Sequence, residues 1–558
     1  MASLVRDNVS IPYTSRRSAI YGTQYMVAST QPLATNAGIR ILEQGGNAAD
    51  AAVAVAAALG VTEPFSTGLG GDCFCLYYNA KDKTVQGING SGRAPAAMTI
   101  GRLRNELGVL GDEIPKHSAH GVTVPGAAAG WVDAVEMFGS GGLSLTDILA
   151  PAIELAQNGF PVGELTAPFW RDGCELLKRA SPYGNELLIN GEGPNEGQIM
   201  RNPGLAATMR LLGEQGKDGF YRGPVAQAIV ESQNEQGGVL SLDDLASHHS
   251  TFEIPDSYEY RGYRLHECAP NGSGVAALLA LGLVDILDEK VPVESLKHNS
   301  PEYLHLIIEC LRLAFADARK HVCDPEFHSV PINEMLSRAY LEQRSRLFDR
   351  NRAAVDVRAG QPLGGSDTVY FSVVDKDGNA CSFVNSLYHG FGSGIVARGC
   401  GFALQDRGCL FSLDPTHANS LQPRKRPYHT IIPAMVTTRD GELSMSYGIM
   451  GGFNQPQAHL QVLLNVVCFG MNPQQALDAP RICILIEDDG RVAIEEGVEQ
   501  TTLEGLRELG HSVYQVYGIG RSLFGRGQVI RQYVDQGSGM RVLVAGSDAR
   551  SDGQAVGR

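Results

Sequence analysis

The pattern of hydrophobic and polar positions along this chain predicts helices in two regions. Residues 33–43 and 47–60 are rich in Ala and predict two helices, which the helix-breaking pair Gly45-Gly46 separates. Ser300-Pro301 predicts the start of a longer helix that reaches about Val322, because Ser is a favoured cap and Pro fits the first helical turn. Apolar residues on its helical repeat mark a buried face: Leu304, Ile307, Ile308, Leu311 and Phe315.

Alternation of apolar and polar residues predicts strands at 369–374, 380–384, 443–447 and 542–545. The first two are joined by a segment containing Asp377-Gly378, which is typical of a hairpin turn. Strands and helices in this mixture predict an α+β fold in which antiparallel sheets are covered by helices.

A small, flexible linker, Gly364-Gly365-Ser366-Asp367, precedes the first of these strands and places Thr368 at the strand's first residue. Thr is a weak nucleophile, and one way to activate it is a free α-amine on the same residue, with a pKa of about 7.7–8.0. That amine exists only after the Asp367–Thr368 bond is broken. We therefore predict that the Thr368 hydroxyl attacks the preceding carbonyl and that the chain cleaves itself here. The alternative from local sequence is that the glycine pair is only a loop.

Composition and charge narrow the class of protein. Of 558 residues, 43% are hydrophobic and 19% charged, as in an ordinary globular protein. A formal charge of −15 disfavours a general nucleic-acid or anionic-membrane surface, because cations are not in excess. The N-terminal residues lack the apolar core of a signal peptide, and the longest apolar stretch, near 51–61, is short. We expect a cytoplasmic protein.

The 11 cysteines show no dense, regular framework, so reduced thiols are the simpler interpretation. Cys73 and Cys75 have the spacing of a metal-binding pair, but no second pair has partner spacing, and alternation within a strand also explains them. We expect no metal site and no organic cofactor.

Further motifs extend along the chain on both sides of Thr368. They are Gln44–Ala52, Thr67-Gly68-Leu69-Gly70-Gly71-Asp72, Val124-Pro125-Gly126-Ala127, Gly130-Trp131, Lys425-Arg426-Pro427, Gly451-Gly452, Ala479-Pro480-Arg481 and 546–552. In this order, from about Tyr25 to Arg558, they resemble the γ-glutamyltranspeptidase family of N-terminal nucleophile hydrolases. The resemblance implies a four-layer αββα sandwich. It also implies that a zymogen is cut into a large portion, 1–367, and a small portion, 368–558, which share one core and remain associated as a heterodimer.

The resemblance implies roles for four residues. Thr368 matches the family's nucleophile, and Ser386 stands where bacterial relatives have a second threonine. Gly451 and Gly452 match the pair whose backbone amides form the oxyanion hole, where glycine permits close approach to the substrate. Taken alone, Ser386 would be an outward polar position on a strand and the glycine pair would be a turn.

At the substrate-binding positions the chain departs from the family pattern. Ser91 stands where the family has an Arg that binds the substrate carboxylate, and His429-Thr430 replaces a Ser pair. Residues that would grip a substrate ammonium are replaced by Arg407, Leu410 and Tyr388. The acidic anchor for an α-amino group is therefore missing.

Two arginines, Arg93 and Arg407, are predicted to hold an anionic acyl group instead, since Arg binds a carboxylate with two hydrogen bonds. Either one could equally be a solvated surface charge. We include Tyr388, His429 and Thr430 in the predicted substrate site. His417 and His429 could orient an acyl carboxylate or could be structural donors.

These observations predict a self-processing amidase with Thr368 as nucleophile and without metal or organic cofactor. The first interpretation is hydrolysis or transfer of a γ-glutamyl group from glutathione, its conjugates or related amides to water or an amine. The alternative is hydrolysis of another anionic N-acyl amide, as in the glutaryl-acylase-like and oxamate-amidohydrolase-like branch. A non-catalytic scaffold is disfavoured by the intact Thr368 and Gly451-Gly452. We expect small-molecule partners only, with no nucleic acid and no membrane.

Overall fold

The computed structural model describes residues 15, 17–354, 366–485 and 490–558. The described strands are β1 (Ile20–Gly22), β2 (Met26–Ser29), β3 (Asp72–Asn79), β4 (Thr84–Gly90), β5 (Phe160–Pro161), β6 (Ile199–Met200), β7 (Thr251–Glu253), β8 (Asp256–Tyr260), β9 (Tyr263–Glu267), β10 (Ser366–Val374), β11 (Ala380–His389), β12 (Ala434–Thr438), β13 (Leu443–Ile449), β14 (Ile482–Leu485), β15 (Arg491–Glu495), β16 (Val513–Val516), β17 (Gly527–Val534), β18 (Arg541–Ser547) and β19 (Gln554–Gly557).

The described α-helices are α1 (Pro32–Glu43), α2 (Ala48–Thr62), α3 (Ile100–Asn105), α4 (Ala127–Phe138), α5 (Leu145–Asn158), α6 (Thr166–Asp172), α7 (Cys174–Ala180), α8 (Pro203–Gln215), α9 (Asp218–Tyr221), α10 (Gly223–Asn234), α11 (Leu242–Ala246), α12 (Gly274–Asp288), α13 (Pro301–His321), α14 (Ile332–Met335), α15 (Arg338–Ser345), α16 (Asn454–Val467), α17 (Pro473–Asp478) and α18 (Gln500–Glu508). Short 3-10 helices span Ala119–Gly121, Gly184–Leu187, Val293–Ser295, Arg407–Leu410 and Gly518–Phe524.

Two seven-stranded sheets form the centre of the molecule, with strand orders β1-β18-β17-β13-β12-β9-β8 and β19-β2-β10-β11-β3-β4-β7. A cluster containing Met26 and Leu76 from one sheet, and Met435 and Ile530 from the other, fills the space between them. Each sheet combines strands from before and after Thr368 in the chain.

Helices cover both outer faces of this pair of sheets. On one face, α2 packs against β10 and β11, and α4 packs against β3 and β4. On the other face, α12 packs against β8 and β9, α16 packs against β13, and α13 packs against α12. The molecule is thus the four-layer αββα sandwich that the family resemblance implies, and this prediction is confirmed.

The predicted helices are present. The glycine pair separates α1 from α2, and the side chain of Asn47 caps α2 by accepting hydrogen bonds from the amides of Ala49 and Asp50. α13 begins at Pro301, and the Ser300 side chain accepts from the Tyr303 amide, as the cap prediction requires. In the part of the chain that the structure describes, no helix has the length and apolar character needed to cross a membrane.

The predicted strands are also present, with one difference that concerns Thr368. β10 begins at Ser366, so Thr368 is not the first residue of its strand as predicted. The reason is that Ser366 and Asp367 still pair with β11, opposite His389 and Tyr388. The linker residues Gly364 and Gly365 lie outside the described residues. Cys73 and Cys75 lie within β3, which confirms strand alternation for that pair.

Candidate active site

The β10–β11 hairpin brings Thr368 and Ser386 together. The Thr368 Oγ1 and Ser386 Oγ atoms lie 3.0 Å apart, and both residues are fully buried. Val369 pairs with Asn385, whereas Asp367 pairs with Tyr388, so β11 carries an extra residue opposite Thr368. Such a bulge re-aims side chains at functional sites. Tyr388, which follows this bulge on β11, has a positive φ of 80°.

Arg407 lies at the centre of the polar group around these hydroxyls. Its Nη2 donates to Ser386 Oγ at 2.9 Å, and its Nη1 donates to Thr430 Oγ1 at 2.7 Å. The guanidinium carbon lies 4.3 Å from the centroid of the Tyr388 ring, in a cation–π arrangement. Arg407 is fully buried, and its Nε atom has no hydrogen-bond partner among the described residues. Burial lowers the pKa of Arg407, yet a guanidinium remains charged in a protein.

Asp72 is the carboxylate that supports this group, and its sequence context indicates only that it ends a glycine motif. It lies opposite Ser386 in the β3–β11 ladder. Its Oδ1 accepts from Gln405 Nε2 at 2.7 Å and from the amides of Gly92 and Gly126 at 2.9 and 3.1 Å. Burial raises the pKa of Asp72 to about 7, against the opposing effects of Arg407 and of these donors.

His429 reaches the same carboxylate from the loop before β12. Its Nε2 lies 3.0 Å from Asp72 Oδ2, and its Nδ1 accepts from the Ile431 amide at 3.4 Å. This network places the proton on Nε2. Burial lowers the pKa of His429 well below its usual value, so the ring is neutral. Both ring nitrogens are engaged, and neither bonds to Thr368.

Gly451 and Gly452 form the turn between β13 and α16. Their φ angles are +129° and +56°, conformations that glycine adopts without strain. Among the described residues, neither amide N–H has an acceptor. Arg526 links this turn to β10. Its carbonyl accepts from the Met450 amide at 3.2 Å, and its Nη2 lies 3.5 Å from the Thr368 carbonyl oxygen. Free amides at the start of a helix can bind a negative charge.

Two residues from the sequence prediction do not contact this group. Arg93 donates to the His249 carbonyl at 3.1 Å and pairs with Glu326 at 3.3 Å. His417 Nδ1 accepts from the Asn419 amide at 3.0 Å, which is a structural contact.

The structure also brings together residues that the sequence could not connect. His389 Nδ1 lies 2.7 Å from Asp406 Oδ2, and the amide of His117 donates to the same oxygen at 3.1 Å. Although burial opposes it, the contact with His389 holds the pKa of Asp406 below its usual value. His117, His389 and Asp406 have donor atoms close enough to hold a metal ion, as do His305, Glu309 and His511. Residues far apart in sequence meet in both clusters, so spacing alone could not reveal them, and the absence of a metal site stays a prediction.

Comparison with known proteins identifies the family. The family described as gamma-glutamyltranspeptidase matches residues 34–558. The chain is 37% identical to the glutathione hydrolase-like YwrD proenzyme of Bacillus subtilis, covering 97% of this chain and 99% of that protein. It is 31% identical to the oxamate amidohydrolase proenzyme of Klebsiella pneumoniae, with 97% and 99% covered.

A solved structure is similar over the whole chain. The crystal structure of cephalosporin acylase from Bacillus halodurans aligns with a TM-score of 0.88 and 38% identity, covering 100% of this chain and 99% of that one. The two chains therefore share their fold over their whole length. The chain is an enzyme that belongs to the γ-glutamyltranspeptidase family of proenzyme hydrolases and acylases.

Proposed function

We propose that the protein cleaves itself between Asp367 and Thr368 and then hydrolyses amides whose acyl group carries a carboxylate. The observation that carries this proposal is Arg407, a buried cation beside the Thr368–Ser386 pair, whose Nε atom has no hydrogen-bond partner among the described residues. A buried donor without a partner costs free energy unless a ligand satisfies it.

Maturation begins when Thr368 Oγ1 adds to the Asp367 carbonyl carbon. The C–N bond breaks, an ester forms, and the nitrogen becomes the α-amine of Thr368. Water then hydrolyses the ester and releases the new N-terminus.

In the catalytic cycle, the Thr368 amine accepts the hydroxyl proton and the oxygen attacks the substrate amide. The C–N bond of the substrate breaks, the proton passes to the leaving amine, and water hydrolyses the acyl ester. Ser386, 3.0 Å from the nucleophile oxygen, positions the Thr368 hydroxyl. The amides of Gly451 and Gly452 stabilise the oxyanion, and losing one such donor typically costs about 10²–10³ in rate.

The acyl carboxylate binds Arg407, with Thr430 and Tyr388 beside it. Asp72 supplies no anchor for a substrate ammonium, because its oxygens already accept from Gln405, His429 and two backbone amides. This arrangement favours a dicarboxylic acyl group, such as glutaryl or the oxalyl group of oxamate, over an α-amino acyl group.

The second candidate is hydrolysis or transfer of a γ-glutamyl group from glutathione or related amides. The specific observation in its favour is the relative at 37% identity, which is named as glutathione hydrolase-like. In both candidates the two fragments remain associated as a heterodimer, because each contributes strands to both sheets.

A competition assay tests the acyl group. Equal concentrations of a γ-glutamyl amide, a glutaryl amide and oxamate, offered together to the mature protein, should yield mainly glutarate or oxalate, measured by mass spectrometry of the released acids. Product that is mainly glutamate would favour the second candidate. Turnover of none of the three would reject both.

The activity of the mature protein is expected to rise with pH through an apparent pKa of roughly 6.5–8, because the deprotonated Thr368 amine is the base. A second group titrates in the same range, since burial raises the pKa of Asp72 to about 7. Because the pKa of Asp72 is higher in the folded than in the unfolded protein, protonated Asp72 contributes to the free energy of unfolding at low pH. This contribution is lost as the pH rises through about 7.

Two variants separate these titrations in pH–rate profiles. Asp72→Asn removes the carboxyl, and His429→Gln keeps an N–H donor toward Asp72 while removing the imidazole. A rising limb that persists in both leaves the amine as the base. If the limb disappears in His429→Gln while maturation and substrate binding stay normal, His429 is the base instead.

A further inference from the structure

A cavity beside the predicted oxyanion turn adjoins a larger basic pocket. The inner cavity, about 110 Å³, is lined by Phe453, which follows Gly452 directly, and by Leu410, at the end of the 3-10 helix that carries Arg407. The basic pocket is open and about 690 Å³ in volume. Arg319 and His417 line both spaces, so the two spaces adjoin at these side chains.

The basic pocket carries an excess of positive charge in a protein whose net charge is −15. Its permanent charges are the cations Arg319, Lys320 and Lys425 and the single acid Asp414. The remaining titratable groups in its lining are His321, His328 and His417. An open pocket with an excess of positive charge attracts an anion, although the net negative charge of the protein repels one.

Two cations of the basic pocket, Arg319 and Lys425, form no ion pair with a carboxylate among the described residues. Arg319 forms no hydrogen bond and no ion pair there, although Glu113 across the inner cavity attracts it. Lys425 donates from Nζ to the carbonyls of Ala418 and Ser420, at 2.6 and 3.1 Å, which fixes its ammonium without neutralising it. Arg319 and Lys320 stand in the last turn of α13, where a cation also stabilises the helix end. That role does not require Arg319 to face a cavity.

The position of the pocket indicates which half of a substrate it meets. Arg407 is fully buried, so an acyl group held there lies inward of the scissile bond. The amine half then lies outward of that bond, on the side where Phe453 lines the inner cavity and Arg319 lines both the inner cavity and the basic pocket.

We propose that the basic pocket binds an anionic group, such as a carboxylate, on the amine half of the substrate. This inference rests on the proposed amidase function and adds a second charge requirement to it: a carboxylate on each side of the scissile amide. It also extends to any acceptor amine, which would enter from the same side.

Two chromogenic donors test this proposal, each carrying the acyl group that the competition assay selects. One releases 4-nitroaniline, which is neutral, and the other releases 5-amino-2-nitrobenzoate, which carries a carboxylate. Wild type should prefer the carboxylated donor in kcat/KM, and Arg319→Gln should reduce that preference about three- to tenfold, since Arg319 is partly exposed. Arg319→Glu should reverse the preference, and added salt should weaken it in wild type.

Arg179→Gln is the matched control, because Arg179 is an exposed cation in the last turn of α7, outside both cavities. It should leave the preference unchanged. Calorimetric binding of free 5-amino-2-nitrobenzoate gives a readout that needs no turnover, and its affinity should fall in Arg319→Gln but not in Arg179→Gln.

Three results would overturn the proposal. The first is an equal preference for the carboxylated donor in wild type and Arg319→Gln. The second is equal binding of free 5-amino-2-nitrobenzoate to both proteins. The third is an Arg319→Gln effect that is seen only between donors that differ in the charge of the acyl group. Failure of all donors with intact binding of the anionic amine would reject the amidase function and leave the anion site in place.

Discussion

Thr368→Ala is expected to remain a single chain and to lose amide hydrolysis by about 10⁴-fold or more, because one hydroxyl serves both self-cleavage and turnover. The hydroxyl is buried beside Ser386, so no neighbouring water can simply take its place. Intact mass and N-terminal sequencing measure maturation, and release of a chromogenic amine measures turnover.

Two further variants sharpen this result. Thr368→Ser should mature slowly, because it keeps the hydroxyl but loses the methyl group that restricts its rotamer. Ser372→Ala is a matched control, since it removes a hydroxyl on the same strand that bonds to Ser446 at 2.6 Å instead of to the candidate site. An uncut wild-type chain that still hydrolyses amides would contradict the mechanism.

Arg407→Ala is expected to lower kcat/KM for anionic acyl donors about ten- to a hundredfold. A buried charge-assisted hydrogen bond is worth about 1.5–3 kcal/mol, and this variant removes the cation that would hold the acyl carboxylate. Neutral acyl donors should lose less, although the contact to Ser386 is removed for every donor. The assay uses matured protein only, with the cleaved fraction measured by mass.

Arg93→Ala is the internal comparison for this prediction. Both arginines are candidate anchors from sequence, but Arg93 pairs with Glu326 and the His249 carbonyl, so its removal should change the same ratio by less than about twofold. Equal activity of wild type and both variants across anionic and neutral donors would reject Arg407 as the anchor.

Local chemistry explains why much of the fold could be predicted from sequence. A glycine pair, a Ser-Pro helix start and an Asp-Gly hairpin act over a few residues, and each produced the expected boundary between elements. Ser386 was predicted from the family resemblance instead, and the hairpin explains why it lies beside Thr368. The start of β10 was misplaced because strand pairing with β11 continues into residues whose own pattern predicts a linker.

The rest of the site depends on contacts between distant segments. Asp72 and His429 are 357 residues apart, and neither residue's neighbours indicate the other. The sequence also cannot distinguish Arg93 from Arg407, because both are arginines and they differ in burial. Arg407 is fully buried beside the hydroxyls, whereas the Arg93 side chain is 12% exposed beside Glu326.

The interleaving of strands in the two sheets has a consequence for the order of events and for reversibility. β10 is flanked by β2 and β11, so the strand that carries Thr368 is in place only after segments from both sides of the cut have assembled. Folding must then precede cleavage. Once the bond is cut, refolding requires two separate chains to meet, and recovery from full denaturation becomes dependent on concentration. The cleaved enzyme would then stay folded because it unfolds slowly, whereas the uncut single chain could refold without a partner.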